Sequence, residues 1–472
     1  MKNLKYINIL LLLAGVFAVP SAASAATLLE IYQQALQSDP QIHEAEARRL
    51  AALEAKPQAR GVLYPQITAG GGWDKLDSSG SSFSLGLNQT VDVTQDTDRT
   101  GFNALLTQTL FRWDQVVNLR RADKVVARAE AEREAAQQDL IIRVAQRYFN
   151  VLAAEDQLTS IHADRTAIAR QLEQAKQRFE VGLIAITDVQ ESQASYDRSV
   201  AAEIAAKREL ATSRNLLREI TGEYVSSLSA PKEDFPLILP EKSEREWVDM
   251  SLNQNLNLVA SRLDEKLARD EISFRKTGHY PTVDLYYRVD KQINDGTGTN
   301  DGAPSIIDSD FDTDTVGIQF SIPIFSGGTT SSQVREAVYL HRASREQLQR
   351  VTRETERQSR DAYLGVLAEQ SRVQALEQAV ASSRTALEAT QAGFDVGTRT
   401  IVDVLNSQFT LYLAITNYYQ SRYEYILNVL RLKQAAGTLQ VQDLEQIDQW
   451  LTERQPPEEA IAEEEAAAAS GS

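Results

Sequence analysis

Hydrophobic positions along this chain keep two different periods, and stretches of each kind alternate. From Arg112 to Val181 there is no glycine or proline, and Ala, Gln, Glu, Arg and Leu dominate. That composition predicts one continuous helix on the order of 100 Å long at 1.5 Å per residue. A second segment free of both breakers runs from Leu183 to Thr221, and a similar one from Thr398 to Ala436. In the latter, Val404, Leu411, Ile415, Tyr418, Tyr425, Val429 and Leu432 keep the 3–4 spacing of a seven-residue repeat. Helices of this length cannot bury such a stripe alone and need neighbouring helices, from the same chain or from other copies.

Elsewhere the period falls to two. The run "TVDLYYRVD" from Thr282 puts Val283, Leu285, Tyr287 and Val289 on one face and Thr282, Asp284, Tyr286 and Arg288 on the other. "TVGIQFSIPIF" from Thr315 opposes Val316, Ile318, Phe320, Ile322 and Ile324 to Thr315, Gly317, Gln319 and Ser321. "QITAGGGWD" from Gln66 and the less regular "GFNALLTQTLF" from Gly101 form a first pair. The spacing predicts four strands of about 9–11 residues, in hairpins over 66–111 and 282–325, each joined by a polar loop. Such alternation fits the half-buried sheet of a soluble domain, and it also fits an outer-membrane barrel with apolar residues outward. No helix beyond the N-terminal segment is apolar enough to span lipid, so membrane residence would require a closed barrel. Four strands are too few to close one, whereas two chains would supply eight and three chains twelve.

The two periods recur at an offset of 215 residues. "FEVGLIAITDVQESQ" from Phe179 matches "FDVGTRTIVDVLNSQ" from Phe394, and "YFNVLAAE" from Tyr148 matches "YLGVLAEQ" from Tyr363. The offset predicts a tandem duplication. Residues 26–225 and 243–440 would each hold a helix, a β-hairpin, a long helix, a tip turn (179–190 and 394–405) and a second helix. A connector, 226–242, carries Pro231, Pro236 and Pro240. Residues 441–456 follow, and the acidic, low-complexity stretch 457–472 is expected to be a disordered tail.

Residues 1–25 change the compartment. Lys2 and Lys5 precede an apolar run and an Ala23-Ser24-Ala25 site, the pattern of a cleaved secretory signal. The apolar run is shorter than the ~20 residues of a spanning helix. Cleavage would take the formal charge from −17 to about −19, which argues against nucleic acid as a partner. There is no cysteine, which excludes disulfides, thiol catalysis and cysteine-ligated metal. No catalytic, cofactor or metal motif stands out: there is no G-x-S-x-G elbow or H-E-x-x-H pair, and His43, His162, His279 and His341 are scattered. "GTGTND" near Gly296 has no following helix to make a nucleotide site. "DSDFDTDT" from Asp308 departs from EF-hand spacing, with Thr313 sixth and Gln319 twelfth. It is expected to be a loop, either merely solvated or meeting divalent ions among headgroups.

The tip sequences, "YPT", "SIPIFSGG", the terminal "LKQAAGTL" and the duplicated plan closely resemble the TolC family of outer-membrane efflux and secretion channels, over essentially residues 26–450. The resemblance implies a mixed α and β membrane protein. Three chains would form one 12-stranded β-barrel, four strands from each, continuous with a long antiparallel α-helical barrel and belted by an α/β equatorial region. It implies a non-enzymatic exit duct for drugs or proteins, embedded in outer-membrane lipid. Its partners would be a periplasmic adaptor and an inner-membrane pump or ABC transporter. Carried over by residue, Gly182 and Gly397 would turn the tips, and Thr187 and Asp188 on the first tip would face Phe394 and Arg399 on the second. Asp403 would form an acidic constriction ring, with Asn406 standing where the family often has a second aspartate. On residue chemistry alone, Asp188 and Asp403 also suit helix caps, and Arg399 suits a solvated turn. The alternative function is a soluble periplasmic coiled-coil scaffold or adaptor.

Overall fold

Thr27 opens the first helix with a reciprocal capping box. Its hydroxyl accepts from the Glu30 N–H at 3.3 Å, and the Glu30 carboxylate accepts from the Thr27 N–H at 2.9 Å. The computed structural model describes residues 25–300 and 303–470, so the expected signal segment lies outside the described residues except for Ala25. After α1 (Leu28–Ser38), Asp39 and Pro40 break the chain direction, because proline has no N–H to donate and suits the first turn of the next helix. Helices α2 (Pro40–Leu53) and α3 (Ala55–Gly61) lead into β1 (Gln66–Ser84) and β2 (Gln89–Phe111). Then α4 runs unbroken for 68 residues, Trp113–Glu180, and returns as α5 (Ile186–Thr221). A short β3 (Ala230–Pro231) lies in the proline-rich connector.

The same order follows again. A second capping box, Ser243 with Glu246, starts α6 (Glu244–Gln254), and α7 (Leu256–Lys276) leads to β4 (Thr282–Asn300) and β5 (Ala303–Ser321). The 67-residue α8 (Thr329–Asp395) and α9 (Ile401–Ala435) form the second long pair. The chain closes with α10 (Val441–Asp448), β6 (Leu451–Thr452), which pairs with β3, and α11 (Pro457–Ser470).

The hydrophobic core sits midway along α4. Tyr148 packs edge-on to Phe149, which stacks on Tyr423 of α9, each pair with centroids 5.5 Å apart. The Tyr148 hydroxyl donates to the carbonyls of Ser229 at 2.5 Å and Ala26 at 3.1 Å, tying the N-terminus and the connector to the long helix. Burial pushes this phenol well above its ordinary pKa, so it remains a donor. Asp156 accepts from the Tyr423 hydroxyl and pairs with Arg454, which fastens the C-terminal segment at the same level. The apolar stripe of α9 is buried at Val404, Leu411, Tyr425 and Leu432.

The four long strands form one antiparallel sheet in the order β1-β2-β4-β5. Register sorts its faces. Ile67 opposes Leu106, which opposes Tyr287, which opposes Val316; all four side chains share one face. Thr107, Tyr286 and Gly317 share the other. On the apolar face Ile67, Trp73, Phe102, Val316, Ile318 and Phe320 are each more than half exposed. Among the described residues, neither outer edge, β1 or β5, has a strand partner.

Three expectations are corrected. The strands span 19, 23, 19 and 19 residues, about twice the length expected. Apolar alternation marks only their lower halves. The Gly-, Ser- and Asp-rich stretches continue the ladder, because backbone pairing needs no apolar side chain and cross-strand ion pairs such as Lys75–Asp96 (3.0 Å) and Lys291–Asp310 (3.2 Å) support it. "DSDFDTDT" is therefore strand, not loop, and among the described residues no group suits a metal ion. The expected disordered tail is also helical over Pro457–Ser470. Ala and Glu are strong helix formers, and Ile461 and Glu458 find partners on the body.

Candidate functional site

Each long helix ends in the same turn. The Leu183 N–H donates to the Arg178 carbonyl at 2.8 Å and the Gly182 N–H to that of Phe179 at 2.9 Å. Thr398 to Gly393 (2.8 Å) and Gly397 to Phe394 (3.0 Å) repeat this at the second tip. This paired bonding terminates a helix through a left-handed residue, and φ is +75° at Gly182 and +78° at Gly397. Any other L-residue there would cost roughly 1–2 kcal/mol. A small apolar cluster of Leu172, Ala175 and Val189 joins α4 to α5 just above the first turn.

The returning helices begin differently. Thr400 and Asp403 form a capping box on α9: the Asp403 carboxylate accepts from the Thr400 N–H and hydroxyl, each at 2.9 Å. Those two bonds, the backbone one first, together with the nearby Arg399 charge, hold the Asp403 carboxyl below its ordinary pKa. Asp188 is no such cap. It sits half-buried in the first turn of α5, which starts at Ala185 without a side-chain cap. Thr187 is exposed beside it, and Asn406 is exposed one turn beyond Asp403.

Inside one chain, among the described residues, no hydrogen bond or ion pair joins Thr187 or Asp188 to Phe394 or Arg399. The exposed Arg399 donates its backbone N–H to the Gly393 carbonyl at 3.2 Å. Its side-chain stem passes so close to Gly393 that a Cβ there would lie 2.8 Å from the Arg399 Cγ. The residue that does connect the tips is Arg178, in the last turn of α4. Its guanidinium pairs with Asp395 at 3.5 Å and lies 4.9 Å from the centre of the Phe394 ring.

A second polar link lies deeper. Gln408, buried on α9, donates its Nε2 to the Asp164 carboxylate at 2.9 Å, and its Oε1 accepts from Gln171 at 3.1 Å. Burial pushes the Asp164 carboxyl above its ordinary pKa, and the Gln408 bond only partly offsets this. The tip helices are thus joined by one half-exposed ion pair, Arg178–Asp395, and by a deeper, buried amide–carboxylate link, Gln408–Asp164. Sequence reading missed Arg178, although the opposite charges of Arg178 and Asp395 flanking the twin motifs were a usable signal. Gln408 was also missed, although a polar residue four positions after Val404 and three before Leu411 interrupts the apolar stripe.

Residues 31–223 and 247–438 match the family described as Outer membrane efflux protein. The chain is 38% identical over 439 residues to the outer membrane protein TolC of Vibrio cholerae, covering 93% of this chain and 97% of that protein. It is 28% identical to the alkaline protease secretion protein AprF of Pseudomonas aeruginosa, covering 90% of this chain and 87% of that one. Among solved structures, the CmeC outer membrane channel of Campylobacter jejuni matches with a TM-score of 0.71 at 14% identity, covering 90% of each chain.

Proposed function

The chain belongs to the outer membrane efflux protein family, and from that membership we propose that three copies pool their sheets into one twelve-stranded barrel above a tunnel of antiparallel helices. The protein resides in the outer membrane of a Gram-negative bacterium and is the exit duct of efflux and type I secretion. One observation supports a barrel shared between copies: among the described residues the four-stranded sheet is apolar on one face and unpartnered at both edges. Lipid cannot satisfy the backbone groups of an open edge, so the edges must meet those of other copies. Twelve strands is an even number within the range of such barrels. On this reading the two halves of the chain are a duplicated module, and the face bearing Asp284, Tyr286 and Arg288 lines a watery lumen.

The helices carry the duct toward the inner membrane. At the tips Val181, Leu183 and Val396 are each more than two-thirds exposed, which supports docking of a periplasmic adaptor and, with it, an inner-membrane pump or ABC transporter. Arg399, which has no ion pair in its own chain among the described residues, is read as bridging to the neighbouring helix pair at the level of Thr187 and Asp188. Asp403 is read as a carboxylate ring at the constriction, with uncharged Asn406 above it. No catalytic residue takes part. A soluble scaffold is disfavoured, because its sheet would leave Ile67, Trp73 and Ile318 in water.

Fractionation of native cells tests this reading. The protein should remain in the outer-membrane pellet after a carbonate wash and run unheated in SDS at three times its chain mass. Release by the wash together with migration as a monomer would overturn it.

A further inference from the structure

The acidic helix α11 lies across α4, and three features of its seat suggest that it can be exchanged. Arg214 of α5 divides its guanidinium: Nη2 donates to Glu155 at 3.1 Å, and Nη1 donates to Glu458 of α11 at 2.6 Å. Glu155 is buried, whereas Glu458 is about half exposed. The first bond belongs to the body and the second faces solvent, so losing α11 leaves Arg214 paired and the seat intact. One turn along, Ile461 is buried and joins the main hydrophobic core.

The fit is also incomplete. A cleft of about 340 Å³ remains between α11, at Pro457, Ala460 and Ile461, and the body, at Thr159, Ala163 and Tyr412. A 14-residue helix is marginal in water by itself, so the order of α11 depends on this seat. We propose that α11 is a tethered plug, and that its groove accepts in its place an acidic amphipathic helix from another protein.

The plug describes its competitor. The groove selects a carboxylate to meet Arg214 and an aliphatic residue three positions later, with room for a larger side chain at the position of Ala460. Arg454, fixed to Asp156, anchors the tail three residues before Pro457. A tether that short gives an effective concentration on the order of millimolar. A helix arriving in trans with the same sequence cannot win against it, whereas one that fills the cleft can. The inference concerns a groove within one chain and does not depend on the channel reading.

The probe is a fluorescent peptide of residues 456–470, added to purified oligomer in detergent. Three proteins are compared: the full-length chain, a variant ending at Gln455, and full-length Ile461→Asp, which releases α11 without truncation. Both altered proteins should bind the peptide saturably and at least tenfold more tightly than the full-length chain. An Ala460→Leu peptide should bind more tightly still, and Arg214→Glu in either variant should abolish binding. Equal binding to all three proteins, or no saturable binding to either variant, would overturn the proposal.

Discussion

The guanidinium of Arg178 lies 3.5 Å from the Asp395 carboxylate, so the last turn of the first long helix is bonded to the last turn of the second within one chain. Each partner ends a helix 67 or 68 residues long, and a small change in the angle between those helices becomes a large displacement at the tip. A bond placed there acts with the greatest leverage on whether the helix pairs stay together.

Arg178→Ala should therefore loosen the closed tip. Arg178 and Asp395 side chains are 35% and 55% exposed, so solvent screening limits the ion pair to about 0.5–1 kcal/mol. Converted at 1.4 kcal/mol per tenfold, this is roughly a two- to fivefold rise in the open population. Single-channel recording in planar bilayers would read it. Asp395→Ala should give a similar rise, and the double variant should give no more than either single one. Fully additive effects would show that the two side chains act separately.

Arg399→Ser should raise single-channel conductance by a different route. Arg399 has no ion-pair partner in its own chain among the described residues, so the substitution leaves the Arg178–Asp395 bond in place. On the proposed trimer its effect should add to that of Arg178→Ala, since Arg399 would act between subunits and Arg178 within one. Unchanged conductance would remove Arg399 from the gate.

Asp164→Asn tests the buried link to Gln408. Burial raises the folded-state pKa of Asp164 above its unfolded value, so the folded state binds the proton more tightly. In the wild type this ionisation destabilises the fold at neutral pH, and the loss is recovered as pH falls from the raised pKa toward the ordinary aspartate value. Asparagine retains an acceptor for the Gln408 Nε2 and does not titrate. The variant should thus melt at a higher temperature at pH 7, with the gap closing by pH 4. A gap that widens on acidification would contradict the assigned direction.

How much of this was legible in the sequence follows from what kind of interaction each element uses. The long helices were legible because breaker-free Ala- and Glu-rich runs are a local property, and α4 begins and ends within one residue of the Arg112–Val181 limits. Strand length was not, because the ladder through Asp308–Asp314 is held by its partner strand and by Lys291, and carries no apolar period of its own. The tail likewise takes its order from Arg214 and the core, both distant in sequence. Asp403 could be placed near a helix start, whereas its reciprocal box with Thr400 needed coordinates. The Arg178–Asp395 bond needed the relative placement of α4 and α8, which no single-helix pattern encodes.

The sheet gives the sharpest contrast between neighbouring residues. Ile318 and Gln319 are adjacent on β5 and point to opposite faces, Ile318 with Val316 and Phe320 and Gln319 with Gly317 and Ser321. An arginine on the lipid face of a barrel costs about 2–4 kcal/mol near the midplane, whereas one on the lumen face mainly alters selectivity. Ile318→Arg should therefore sharply reduce the SDS-resistant oligomer recovered from outer membranes. Gln319→Arg should assemble normally and shift ion selectivity toward anions in bilayers, since three copies would place three positive charges in one ring. The pair separates a barrel from a soluble sheet without reference to any relative. In a soluble sheet Ile318 would already face water, and arginine there would be tolerated at least as well as at Gln319.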